Sequence, residues 1–204
     1  MAEATAKQPQ QERGQRRVTR ILDAAEQEIL RAGVDGMTMN AVAQRASTAP
    51  GSLYQFFPGK SALIAALSQR HVVALAALAK ETSDLLMQHP EADIGATAIA
   101  LLQPFVRYYA AHPAYVILAA AAHRWPETLA GEDMADDAVV QAYVKTLMPF
   151  AGAHASGRLE LAARLMVETG HAAIAASQTE DPGEKDAWIA ELQLLVAAYA
   201  STLR

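Results

Sequence analysis

Cysteine is absent from all 204 residues, which excludes disulfides, thiolate metal ligands and cysteine nucleophiles. Long apolar runs are also missing. Uncharged stretches such as Ile94 to Val106 are too short to cross a bilayer, and this one is interrupted by Pro104. The start of the chain is polar through Arg17, with no apolar signal-peptide core, so the expectation is a soluble cytoplasmic protein with no membrane partner. No segment alternates β-branched and polar residues as a strand would, and no internal repeat occurs. Catalytic signatures are equally lacking: there is no Gly-x-Ser-x-Gly elbow, phosphate loop or Cys-His pairing, and no catalytic residue is assigned. The six histidines are scattered, and only Glu168 and His171 have the Glu-x-x-His spacing of carboxylate-bridged metal bundles. Such sites need a second copy of that motif, so neither metal nor cofactor is expected.

What remains is an apolar, helical chain with its charge divided unequally. Apolar residues make up 52%, ample for a core. Through Arg70, nine Lys/Arg face six Asp/Glu, a net +3; beyond it, eight face sixteen, a net −8. A basic head on an acidic body is the electrostatic footprint of a nucleic-acid-binding domain attached to one that does not bind it. Residues 1–15 read as a disordered polar and basic arm. From Arg16, Val18, Ile21, Leu22, Ala25, Ile29 and Ala32 recur at helical spacing until Gly33 and Gly36. Thr38 is a good N-cap for a short helix, Met39 to Arg45. A long amphipathic helix runs from Lys60 to about His89, before Pro90. Later prolines and glycines divide the rest into helices over Asp93 to His112, bent at Pro104, then Pro113 to Arg124, Ala138 to His154, Arg158 to Ser177 and Glu184 to Leu203. Trp125 to Asp137 reads as a loop. The fold expected is all-α.

The stretch "TAPGSLYQFFPGKSAL", Thr48 to Leu63, packs three of the chain's few aromatics between two proline breaks. Pro50 suits the first position of a helix, where its missing amide hydrogen has no intrahelical partner, and Pro58-Gly59 ends that helix after two turns. Two short helices joined by a tight turn make a helix-turn-helix, whose second helix enters the DNA major groove. Leu53 shares the inward face with Phe57, and Phe56 is read as a further anchor, while Gly51, Ser52, Tyr54 and Gln55 project outward beside the basic Arg16, Arg17 and Arg45. Gln55 has the amide that pairs with an adenine edge, and Tyr54 offers a ring for a thymine methyl with a hydroxyl for a phosphate.

Over Ile21 to Leu67 the sequence resembles the tetracycline-repressor (TetR) family of bacterial transcriptional regulators: an Ala-rich first helix, Gly-x-x-Gly then Thr into helix two, and "SLYQFFPGKSAL". The resemblance implies a helix-turn-helix DNA-binding domain over 16–67 and a helical ligand-binding and dimerisation bundle over 68–204. It implies a homodimer on a double-stranded, palindromic operator, released by a small-molecule effector. The family's DNA contacts would fall on Thr38, Pro50, Gly51, Ser52, Tyr54, Gln55 and Lys60. Two positions depart from the pattern: Ser47 stands where glycine is frequent, and Ala49 where a capping serine is frequent. The reading that competes is an all-α carrier or enzyme whose first helices are only structural.

The last two helices carry more apolar surface than one contact face can cover. Leu161, Leu165, Ile174, Trp188, Leu192, Leu195, Val196 and Tyr199 are assigned to a dimer interface. The aromatic, methionine and histidine residues of the body are the candidates for a largely apolar effector: Phe105, Tyr108, Tyr109, His112, Tyr115, His123, Trp125, Tyr143, Met148 and Met166.

Overall fold

The computed structural model describes residues 8–122, 124–129, 132–152, 156–177 and 181–204, and among these no strand occurs. The helices are α1 (Gln8–Gly36), α2 (Met39–Arg45), α3 (Pro50–Phe56), α4 (Lys60–Gln88), α5 (Ile94–Ala111), α6 (Pro113–Ala120), α7 (Glu132–Leu147), α8 (Leu159–Ala176) and α9 (Pro182–Ser201). Short 3₁₀ turns lie at Pro126–Leu129, Met148–Phe150 and Ser156–Arg158.

Most boundaries fall where the caps place them. Thr38 Oγ1 accepts the Ala41 amide at 3.2 Å, Asp93 Oδ1 that of Ala96 at 2.9 Å, and Asp181 Oδ1 that of Gly183 at 2.8 Å. Three expectations are corrected. Residues 8–15 are helical, with Pro9 in the first turn, where no amide donor is required. The segment expected as a loop contains the start of α7, whose first residues, Glu132 to Asp137, are mostly acidic and give no apolar rhythm in the sequence. Pro149 ends that helix early, converting its continuation to a 3₁₀ turn. α5 continues as one helix through Pro104.

Two compact units form. One comprises the described residues of 8–70 together with 113–129, the other those of 71–112 together with 132–204. In the first, Ile21, Ala25 and Ile29 of α1, Val42 of α2, Leu53 of α3, Leu63 and Ile64 of α4, and Leu118 of α6 are wholly buried. α6 packs along α1, although the chain reaches it from α5 of the other unit. In the second unit α5 lies on α9 and α7 on α8. The close approach of α5 and α9 needs Gly95: a Cβ there would stand 3.3 Å from both the Ala197 carbonyl oxygen and Ser201 Oγ.

α4 is long and apolar enough by composition to cross a membrane. It carries Arg70, Lys80, Glu81 and Asp84, however, and buries Ser68, His71, Thr82 and Ser83 beside Leu63, Leu67 and Leu75, as a core helix does.

Candidate functional site

The turn between α2 and α3 is built by Ser47, which adopts φ 49°, the left-handed region that glycine occupies at no steric cost. Ala49 caps α3 with its backbone alone, in extended geometry, and Pro50 begins the helix. Behind α3, Leu53 is wholly buried and Phe57 nearly so. Pro50, Gly51, Tyr54 and Gln55 are exposed, Ser52 half-buried, and Thr38 exposed at the α2 cap. The structure thus brings Pro50, Gly51, Ser52, Tyr54 and Gln55 onto one short helix with an outward polar row. Phe56 is not a buried anchor: it is 36% exposed, whereas Leu53 is wholly buried.

The basic neighbours divide in two. Arg17 Nη1 donates to Ser52 Oγ at 3.3 Å, tying α1 to the first turn of α3. Arg45 is instead committed to structure. Its Nε donates to Glu28 Oε1 at 2.7 Å, while Arg31 makes two bonds to Oε2, at 2.9 and 2.7 Å. These bonds, first from Arg31 and then from Arg45, hold the buried Glu28 carboxyl below the usual carboxylate range against the opposing effect of burial. Lys60 is similarly engaged. Its Nζ donates to the Asp35 carbonyl oxygen at 2.8 Å and lies 4.6 Å from the centre of the Trp125 ring. Burial lowers the Lys60 ammonium pKa, with the Asp35 charge opposing. Asp35 also accepts from Trp125 Nε1 at 2.8 Å and from Arg124 Nη1 at 2.5 Å; these bonds, Trp125 first, depress its carboxyl. In this arrangement Lys60 fastens the start of α4 to the end of α1.

The effector candidates do not form one cluster. Phe105, Tyr143 and Met166 meet at a cavity lined also by Leu102, Val139, Val167, Gly170, His171 and Ile174, whose free space is only ≈ 10 Å³. That is about the room for a single water. Burial alone pushes the Tyr143 hydroxyl up. Tyr109 reaches the edge of this group, its ring centre 6.1 Å from that of His171. Tyr108 and His112 stack at 4.0 Å in a second cluster, where the buried His71 places Nδ1 2.8 Å from the Tyr108 hydroxyl and His112 Nδ1 donates to the Tyr108 carbonyl oxygen at 2.8 Å. Tyr115 and Trp125 belong to the other unit, Tyr115 as core and Trp125 on Asp35. Met148 is 45% exposed on its 3₁₀ turn, and His123 lies outside the described residues. The effector candidates read from the sequence did not include His71, Leu102, Val139, Val167, Gly170 or His171; the signals present were the Glu-x-x-His spacing at His171 and the glycine inside a helical pattern.

The proposed interface residues divide as well. Ile174, Leu192 and Val196 are buried within their own bundle, and Tyr199 is half-buried. Leu161, Leu165, Trp188 and Leu195 are exposed, joined by Leu194 at 64%. Trp188, Leu192, Leu194 and Leu195 of α9 line an open apolar groove with Thr169, Ala172, Ala173 and Ala176 of α8.

The model of the tetR family of bacterial regulatory proteins matches residues 21–67, and that of the tetracyclin repressor-like C-terminal domain matches residues 93–199, more than half the chain. The chain belongs to the TetR family. It is accordingly a ligand-responsive, DNA-binding transcriptional regulator with a helix-turn-helix domain. The same architecture recurs in solved structures. The fatty acid degradation regulator FadR from Bacillus halodurans is 16% identical with a TM-score of 0.68, covering 89% of this chain and 94% of its own. GusR of Salmonella enterica is 19% identical with a TM-score of 0.68 over 98% of this TetR-family chain and 99% of its own. A TetR-family transcriptional regulator from Streptomyces coelicolor is 23% identical, TM-score 0.59, over 92% and 99%. These likenesses concern the fold. No curated protein matches the chain.

Proposed function

We propose that this TetR-family protein is a cytoplasmic repressor that binds a palindromic operator as a homodimer and leaves it when a small, largely apolar effector enters the second unit. No catalytic step is assigned to it. The observation that carries the reading is the division of α3 into a buried anchor, Leu53 with Phe57, and an exposed row, Tyr54 and Gln55 with Gly51 and Ser52 beside them. Packing requires the first and has no use for the second. Thr38 and Pro50 stand at the ends of the same surface, where an exposed hydroxyl and a close-approaching ring suit backbone phosphates.

Homodimerisation is supported by the apolar groove on α8 and α9, whose Trp188, Leu194 and Leu195, like the exposed Leu161 and Leu165 of α8, would otherwise face water. A two-fold dimer presents two α3 helices to two half-sites. For the effector, the small cavity among Phe105, Tyr143 and Met166 supports an apolar compound that widens it, with His171 and Tyr109 at its edge. The deciding experiment is selection of a duplex from a random library, followed by titration of Tyr54→Ala and Gln55→Ala. Tyr54→Ala should weaken the selected site, and Gln55→Ala should relax preference at one base position. Wild-type affinity in both variants would remove α3 as the reading helix.

A further inference from the structure

In the unit that carries α3, every arginine outside one strip has a carboxylate close at hand. Arg31 and Arg45 lie 2.7 Å from Glu28, Arg70 2.6 Å from both Asp23 and Glu26, and Arg124 2.5 Å from Asp35. The exception is α1, where Arg13, Arg16, Arg17 and Arg20 line a single shallow concavity with Thr19. Their spacing of three, four and seven residues places them on one helix face. All four are exposed, and among the described residues only Arg16 has a carboxylate partner, Glu12 at a loose 3.6 Å. Like charges at that spacing repel one another in a free helix, so the isolated protein gains nothing by grouping them.

The strip also has a direction. Arg17 bonds Ser52 in the first turn of α3, so the cluster borders the amino-terminal end of the reading helix. From Arg13 to Arg20 the helix rises about 10 Å, the length of roughly three base-pair steps.

We propose that Arg13, Arg16 and Arg20 form a second DNA contact, to backbone phosphates flanking the half-site that α3 reads. The inference rests on α3 as the reading helix, but the contact itself is independent of sequence. Guanidiniums on successive turns meet phosphate oxygens as charge-assisted bonds and release condensed counterions, giving affinity without base preference. Arg17 stays with Ser52 and orients α3.

The test compares wild type with R13A/R16A/R20A and with R13K/R16K/R20K on a random-sequence duplex of about 40 base pairs, titrated from 50 to 200 mM salt. Three phosphate contacts correspond to roughly 40-fold more affinity lost by wild type than by the alanine variant across that range, with lysine restoring most of the difference. Circular dichroism before titration checks that α1 is intact. The expected result is a shallower slope for the alanine variant and a near wild-type slope for the lysine variant. An alanine variant with the wild-type slope overturns the strip, as does a lysine variant as shallow as the alanine one. Repeating the titration on the selected operator keeps the two ideas apart. Loss of base preference in Gln55→Ala there, alongside an unchanged slope in the alanine variant, would sink the flanking contact and leave α3 as the reader.

Discussion

Ser47 is held in left-handed geometry by the α2–α3 turn, its amide bonded to the Gln44 carbonyl at 3.1 Å. An L-residue there costs about 1–2 kcal/mol, part of which glycine returns as greater freedom in the unfolded chain. Ser47→Gly should therefore raise unfolding stability by about 0.5–1 kcal/mol, read as a higher urea midpoint at unchanged slope. Ala49→Ser supplies the missing side-chain cap of α3 and should add about 1 kcal/mol by the same measurement. Glu28, with Asp35, contributes to the acid dependence of the head. Its carboxyl is lowered in the fold, so its contribution is complete above the unfolded value near 4.5 and disappears as pH falls through the folded value. Glu28→Gln should flatten that acid limb and, by replacing one of the two acceptor oxygens that serve Arg31 and Arg45 with a donor amide and removing the charge, cost about 1–3 kcal/mol at neutral pH. A Glu28→Gln protein with the wild-type acid profile would contradict the assignment. Both departures from the family pattern, Ser47 and Ala49, were legible in the sequence as departures. Glu28 was not, because its burial and its bond to Arg45, seventeen residues away, arise only from tertiary contact.

At the scale of helices, α8 and α9 show what periodicity can and cannot decide. Their apolar stripes are visible in the sequence, as is the excess over a single packing face. Which stripe turns inward depends on where α5 and α7 sit, and neither is encoded locally. The structure makes Ile174 a core residue, so Ile174→Glu should collapse the bundle and says nothing about association. Leu165→Glu and Leu195→Glu, at half-exposed positions on the outer face, should instead leave the circular dichroism and melting of the subunit close to wild type while sedimentation shifts from dimer to monomer. A dimer that persists in the Leu165→Glu, Leu195→Glu double variant would move the interface elsewhere. The short elements were read correctly because their boundaries are chemical: Thr38 and Pro50 mark helix starts that any context would keep.

For the whole molecule, the all-α class and the helix-turn-helix follow from composition and motif, whereas the effector region does not. A list of aromatics cannot separate Tyr115, which is core beneath α1, from Tyr143, which faces the small cavity. Gly170 offers a test of that cavity. A Cβ there meets Leu102 Cδ1 at 3.6 Å, an ordinary contact, so Gly170→Ala should stabilise the helix by about 0.5–1 kcal/mol. By filling space the effector must enter, it should also raise the concentration needed to release operator DNA, measured by fluorescence anisotropy; unchanged potency would place the effector outside this cavity. The division of the chain has a consequence during synthesis. The head's buried face on α1 is covered by α6, encoded after the whole of α5, and the nascent chain must wait for it. At about 5–20 residues per second, roughly 3–12 s separate the emergence of Arg70 from that of the 113–129 segment's end. Through that interval the first three helices leave the ribosome with Ile21 and Ile29 short of their full cover. A head that closes before α5 and α6 have been made is therefore disfavoured, and a chain truncated after α4 should lack the α6 cover that α1 needs.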